Sequence, residues 1–359
     1  MIKPARIYLD HAATTPVLPQ ARAAMMAALD AWANPSSPHG EGRAARAALE
    51  RARREIAAAL GWQHDVILTS GATEAIALAA NRARVPGRAL GATEHDAVPA
   101  AMGRARVIGV DAGGLVDLGA LEAALAGDPA LVAIQHVNSE TGVVQSLGGV
   151  AERVRAAGSL LLADCAQSAG KLPLPDADLI AVSAHKLGGP PGVGALLVRD
   201  ASMLRASGGQ ERGYRRGTEN LPAGAGFSAA LESGACADSM VRLRELRGKL
   251  DEAIEDEGGM VIAATSERIA TIGAYAMPGV ASASQLVQLD LAGIAVSAGS
   301  ACSSGSMKPS RVLAALGLEP EIAGSVIRVS FGPNTSEPEV ERFVAEWTRI
   351  RGRASRSAA

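Results

Sequence analysis

Aromatic side chains are nearly missing from this chain, which has three Trp, three Tyr and three Phe among 359 residues. A core must therefore rest on Leu, Val, Ile and Ala, and stacking platforms for nucleic-acid bases are not available in number. Cysteine is equally scarce. Cys165, Cys236 and Cys302 make an odd count at wide spacing, which argues against a disulfide framework. They form no Cys-x-x-Cys pair, and His11, His39, His64 and His136 show no ligand spacing, so no intrinsic metal site is expected. No apolar run approaches the ~20 residues of a bilayer span. Met1–Arg6 leads straight into Tyr8-Leu9-Asp10 without an apolar signal segment. A formal charge of −2 draws the chain toward neither nucleic acid nor an anionic membrane. The expectation is a cytoplasmic protein with no nucleic-acid or membrane partner.

What is present suits an ordinary globular protein, 48% hydrophobic and 20% charged, long enough for one large domain or two that share an interface. Two Ala-rich stretches, Gln20–Ala33 and Glu41–Leu60, read as amphipathic helices separated by Asn34-Pro35-Ser36-Ser37-Pro38. Short apolar runs then alternate with helical segments. Val66–Thr69 precedes a helix from Ala72, and Leu131–His136 precedes one at Leu147–Ala157. Leu160–Ala163, Leu179–Ser183 and Gly194–Val198 continue the series. This alternation predicts an α/β fold with a mostly parallel, doubly covered sheet, and ligands beyond its strands' carboxyl ends. Past about Ala230 the pattern changes. A charged helix, Met240–Glu257, leads to apolar runs at Val261–Ala264, Thr271–Ala276 and Val326–Ser330, which predict a smaller α+β domain. Ser336 and Glu339 read as a capping box, and Arg351–Ala359 as a frayed end.

Four clusters carry candidate chemistry. Thr69-Ser70-Gly71-Ala72-Thr73-Glu74 passes from strand to helix through a glycine, which makes either an anion site or a simple helix cap. Asp164 ends an apolar strand, where a carboxylate needs a cationic partner. A protonated ring nitrogen and an ordinary ion pair both qualify. Lys186 follows a strand in Ser183-Ala184-His185-Lys186. It is either a desolvated nucleophilic amine able to form a Schiff base or a solvated loop lysine. Cys302 sits among small residues in Ser300-Ala301-Cys302-Ser303-Ser304, either as an accessible thiol nucleophile or as a tolerated small residue.

Taken together, the motifs resemble the cysteine desulfurases of the NifS/IscS type, in the class V aminotransferase family of fold-type I pyridoxal-phosphate enzymes. The likeness runs from Tyr8-Leu9-Asp10-His11-Ala12-Ala13-Thr14-Thr15-Pro16 to Ile327-Arg328-Val329-Ser330-Phe331-Gly332. It includes Glu94-His95, Glu140-Thr141-Gly142, Asp164-Cys165-Ala166-Gln167-Ser168, Gly208-Gly209-Gln210-Glu211-Arg212-Gly213 and Arg216-Gly217-Thr218-Glu219-Asn220. The resemblance implies a large cofactor-binding domain over 15–240. It implies a small domain from 1–14 and 241–359 that carries the cysteine loop.

It further implies pyridoxal 5'-phosphate as a Schiff base on Lys186, with Asp164 on the ring nitrogen, Gln167 near the phenolic oxygen and His95 stacked on the ring. Ala72 (through its backbone), Thr73, Ser183 and His185 are implied to hold the phosphate, joined by Thr218 from the partner of a homodimer. Arg328 is implied to clamp the substrate carboxylate, with Asn34 near the site. The implied reaction converts L-cysteine to L-alanine and passes sulfur to Cys302 as a persulfide. Lys186, with His95, moves the protons. The sulfur then goes to an acceptor such as an iron–sulfur scaffold, for iron–sulfur cluster assembly or another sulfur-requiring pathway. Alternatives on the same scaffold are a selenocysteine lyase or related lyase, an aminotransferase, and a non-catalytic sulfur-assembly factor. Two departures stand out. Ser139 occupies the second position of the family's usual Asn-Asn-Glu, so its cofactor contact is lost, bridged by water, or taken by Asn138. The chain also stops soon after its last helix, so scaffold docking through a longer C-terminal tail is not expected.

Overall fold

The computed structural model describes residues 6–298 and 310–358, with side chains as far as residue 354. In chain order the strands are β1 (Ile7–Tyr8), β2 (Asp65–Thr69), β3 (Gly87–Gly91), β4 (Arg106–Ile108), β5 (Ala130–Gln135) and β6 (Leu160–Asp164). They continue as β7 (Leu179–Ser183), β8 (Gly194–Val198), β9 (Met260–Val261), β10 (Ile272–Ala276), β11 (Ile294–Ala295) and β12 (Val326–Ser330).

The strands from β2 to β8 form one sheet in the spatial order β2-β8-β7-β6-β5-β3-β4. Neighbours pair in parallel except at β8, which is antiparallel to both β7 and β2. The reversal has a simple cause. The link from Ser183 to Gly194 is too short for the dozen or more residues that a parallel crossover needs. Successive residues of the inner strands bury on opposite faces. Val132, Ile134, Leu161, Ala163, Ile180 and Val182 pack on one side. Leu131, Ala133, Leu162, Leu179, Ala181 and Leu196 pack on the other. Burial on both faces explains why these strands read as continuous apolar runs rather than as alternating ones. The α/β expectation is met, with a mostly parallel central sheet flanked by helices.

Beyond the charged helix Met240–Asp256, β9, β10 and β12 make a small antiparallel sheet. Four of the chain's aromatics pack there, Tyr275, Phe343 and Trp347 fully buried and Phe331 nearly so. β1 pairs in parallel with β11, which brings Ile7 and Leu9 into the same cluster. The last helix, Glu337–Ala358, runs through the stretch expected to fray. At its start the Glu339 carboxylate accepts from the Ser336 amide at 2.8 Å and from its hydroxyl at 2.9 Å. Among the described residues no helix is long and apolar enough to cross a membrane.

Candidate active site

The parallel strands deliver their last residues to one edge of the large sheet, with Thr69 ending β2, Gln135 β5, Asp164 β6 and Ser183 β7. A cavity of about 540 Å³ opens there, within the size range of small-molecule sites. Ala72, Thr73, His95, Ser139, Asp164, Gln167, Ser183, His185 and Lys186 all line it. Residues as far apart as Ala72 and Lys186 thus converge where the topology places ligands in such sheets.

One wall is the start of the helix Ala72–Arg82. Its preceding residue, Gly71, has φ +148° and no side chain caps the first turn, so the leading amides stay available to an anion. Strand β8 presses close behind. A Cβ at Gly194 would lie 2.3 Å from the Val182 carbonyl oxygen and 2.7 Å from the Gly71 Cα, so only glycine fits. Glu74, which faces the same turn, is tied back by Ser70 and by Arg215 at 3.0 Å, and its carboxyl is held below the usual range.

The lining also holds a buried carboxylate. Burial raises the Asp164 carboxyl, offset by the Ala166 amide at 2.9 Å and by the charges of His95 and Lys186. Lys186 lies on the next strand's exit. Its Nζ donates to the carbonyls of Ala12 and, at 2.9 Å, of Ala13. Burial, with Arg328 and Lys171 adding repulsion, brings its amine down to about 8. Gln167 Nε2 also donates to the Ala12 carbonyl, at 2.9 Å, and its buried Oε1 has no partner. Beside them, burial lowers the His185 imidazole to about 4. His95 is exposed at the rim, where its Nδ1 accepts from the Ala97 amide at 3.2 Å. That contact leaves Nε2 as the protonated nitrogen facing outward.

The Ser139 departure has a definite consequence. Asn138 is buried and its side-chain oxygen is fully engaged. Its Oδ1 accepts from the amides of Glu140 and Thr141 and from the Thr141 hydroxyl, while Nδ2 donates to the Thr93 carbonyl at 3.2 Å. Asn138 does not line the cavity, so of the two the shorter Ser139 meets it. Arg328 approaches from β12, donating through Nη1 to the Ser139 carbonyl and through Nη2 to Asp10, both at 2.8 Å. Its Nε is buried and unpartnered.

Asn34 and Thr218 do not line this cavity. Asn34 Oδ1 accepts from the Ser36 amide at 2.8 Å, and Thr218 is exposed. Cys302 and its Ser300–Ser306 surroundings lie outside the described residues. Cys165 and Cys236 are both buried, as their apolar neighbours suggest. Sequence reasoning missed Asp10 and the carbonyls of Ala12 and Ala13 as parts of the site. The Tyr8–Pro16 motif was the available signal, but nothing local tells that it folds back under Lys186.

These groups fit a planar cationic ring with an anionic tail. The same lining offers free helix amides, a buried carboxylate wanting a positive partner, and a low-pKa amine. Among the described residues no group of His, Cys, Asp and Glu is placed to hold a metal ion.

The aminotransferase class-V family pattern matches residues 7–343. The cysteine desulfurase IscS of Proteus mirabilis is 37% identical over 95% of this chain and 91% of its own length. A cysteine desulfurase of Cereibacter sphaeroides is 36% identical over 94% of each. Among solved structures, a NifS-like protein from Rickettsia africae superposes with a TM-score of 0.86 at 29% identity. That match covers 96% of this chain and 99% of the other.

Proposed function

The chain belongs to the class-V aminotransferase family, among its pyridoxal-phosphate-dependent cysteine desulfurases, and on that footing we propose that its cavity takes L-cysteine and that Cys302 receives the sulfur. The observation that carries this reading is the convergence of Lys186, Asp164 and the open helix start on one cavity, with Arg328 at its side.

Ala72, Thr73, Ser183 and His185 hold the cofactor's phosphate, Asp164 its ring nitrogen, Gln167 its phenolic oxygen and Lys186 its carbonyl carbon. Bound there, the cofactor withdraws electrons from the substrate's α-carbon and so loosens the bonds to it. Arg328 presents its unspent N–H donors to the substrate carboxylate, fixing which bond faces Lys186. The Lys186 amine, neutral in appreciable part near pH 7, removes the α-proton, and His95 exchanges protons at the rim. The Cys302 thiolate attacks the substrate sulfur. The new S–S bond forms as C–S breaks, the electron pair stays on carbon, and the three-carbon fragment leaves as alanine after taking a proton at its β-carbon and regaining at its α-carbon the one that Lys186 removed.

Thr218, exposed and away from this cavity, serves a second copy's site in a homodimer. Ser139 borders the substrate. The persulfide passes to an acceptor protein, such as an iron–sulfur scaffold, in the cytoplasm. Holoenzyme given L-cysteine and a reductant should release alanine and sulfide in equal amounts, and K186A should lose both the covalent cofactor band and the release. Keto-acid exchange without sulfide, or turnover of selenocysteine alone, would replace this reading.

A further inference from the structure

Residues 299–309 carry Cys302, and both described flanks of that segment are fastened to one cluster beside the cavity. Upstream, Ser297 exchanges main-chain hydrogen bonds with Arg328, the Arg328 amide to the Ser297 carbonyl at 2.6 Å and the return bond at 3.2 Å. The Arg328 guanidinium holds the Ser139 carbonyl. The next residue, Glu140, reaches the downstream flank. Ser310 Oγ donates to Glu140 Oε2 at 2.6 Å while accepting from the Leu313 amide at 3.1 Å. Burial pushes the Glu140 carboxyl up, and the Ser310 hydroxyl and then Arg328 draw it back.

The Ser310 cap on the helix Arg311–Ala315 is complete without Glu140, because Oγ already serves Leu313. The bond to Glu140 therefore does something else. It ties a residue 170 positions away to the place where the chain returns from Cys302, one residue from the carbonyl that orients Arg328.

We propose that Glu140 is a positioning residue for sulfur transfer, gripping Ser310 so that the downstream flank of the Cys302 segment stays fixed near the Arg328 clamp that holds the upstream flank. The inference rests on Cys302 being the sulfur acceptor. Misplacing a nucleophile by about 1 Å costs on the order of 100-fold in rate, so a single hydrogen bond at the anchor is enough to matter.

The test separates substrate activation from sulfur transfer. Holoenzyme is mixed with one equivalent of L-cysteine. The change in cofactor absorbance reports substrate arrival and α-proton removal, and quenched samples are analysed by mass for persulfide on Cys302. E140A and S310A should leave the absorbance step within about twofold of wild type and slow persulfide formation at least about tenfold. E140Q keeps an acceptor and S310T a hydroxyl, so both should retain most of the rate. S310A also removes the Leu313 cap, so the E140A/S310A double variant should match S310A alone, because the Glu140 bond is already lost there. Undiminished persulfide formation in E140A and S310A overturns the proposal. So does equal slowing of both steps, which marks general damage, and so do additive losses in the double variant. Wild-type enzyme that loads no sulfur on Cys302 instead defeats the reading of Cys302 itself.

Discussion

Asp10 accepts from Arg328 Nη2 at 2.8 Å, an ion pair that joins the first segment of the chain to β12. Both side chains are largely buried, and a second Arg328 nitrogen is held by the Ser139 carbonyl. The guanidinium is thereby fixed before a substrate arrives, with Nε and other N–H donors unspent. Replacing it with a point charge removes the planar fork that suits a carboxylate. R328K should raise the KM for L-cysteine about tenfold to 100-fold, the worth of a charge-assisted hydrogen bond, while kcat changes less. D10N should raise KM by a smaller factor, because the amide still accepts but no longer charges the pair. Steady-state kinetics on L-cysteine checks both. An unchanged KM in R328K would remove Arg328 from substrate binding.

The Lys186 amine, lowered to about 8 from the ordinary 10.5, sets a pH signature in the cofactor-free protein. Only the neutral amine attacks an aldehyde. At pH 7 a group with the lowered value is neutral roughly 300-fold more often than an ordinary lysine. The rate of cofactor reattachment should therefore rise with pH and level off above about 8, not near 10.5. Stability carries the matching sign. Keeping the buried ammonium charged costs the fold below about pH 8, and that cost is relieved as pH climbs toward 10.5. Stopped-flow reconstitution across this range reads the midpoint directly.

Much of this was legible in the sequence because its strands are buried on both faces and so stand out as apolar runs. β7, β8 and β12 lie where the runs predicted them. The edge strand β4 and its neighbour β3 did not stand out, since Arg88, Arg106 and two glycines interrupt their pattern. Pairing of β3 with β5, and of β4 with β3, decides those segments, and no local propensity reports it. In the site, Lys186, Asp164, Gln167 and His95 were readable from motif and position. Asp10, Glu140 and Ser310 were not, because their partners lie 170 or more residues away.

Glu211 makes a second long-range tie, this one for stability. Arg53 grips it at 2.6 Å and 3.0 Å, and the Leu68 amide donates to it at 2.8 Å, all buried. Glu211 and Arg212 take φ of 49° and 57°, a left-handed stretch that this grip holds in place. E211A leaves buried Arg53 with only Glu50 and the Val66 carbonyl and leaves the Leu68 amide unpaired, and should cost about 3 kcal/mol in urea unfolding. Pairing it with R53M should recover much of that loss. An E211A protein as stable as wild type would refute the assignment.

Asn138 and Ser139 should behave oppositely although they are adjacent. N138A leaves the Glu140 amide, the Thr141 amide and the Thr141 hydroxyl without their acceptor, a loss of about 2–3 kcal/mol seen as a lower Tm. S139A removes only a hydroxyl facing the cavity, so its Tm should match wild type and any change should fall on substrate KM. Equal destabilisation by both would mean that Ser139 is also part of the turn.

The account turns on Cys302, and one single-turnover measurement tests it most directly. C302S holoenzyme and wild type are each mixed with one equivalent of L-cysteine, and alanine and the mass of the peptide containing position 302 are followed together. Wild type should gain one sulfur atom on Cys302 as alanine appears, while C302S should bind cofactor with unchanged absorbance and yield neither. C302S forming alanine and sulfide at the wild-type rate would contradict the account.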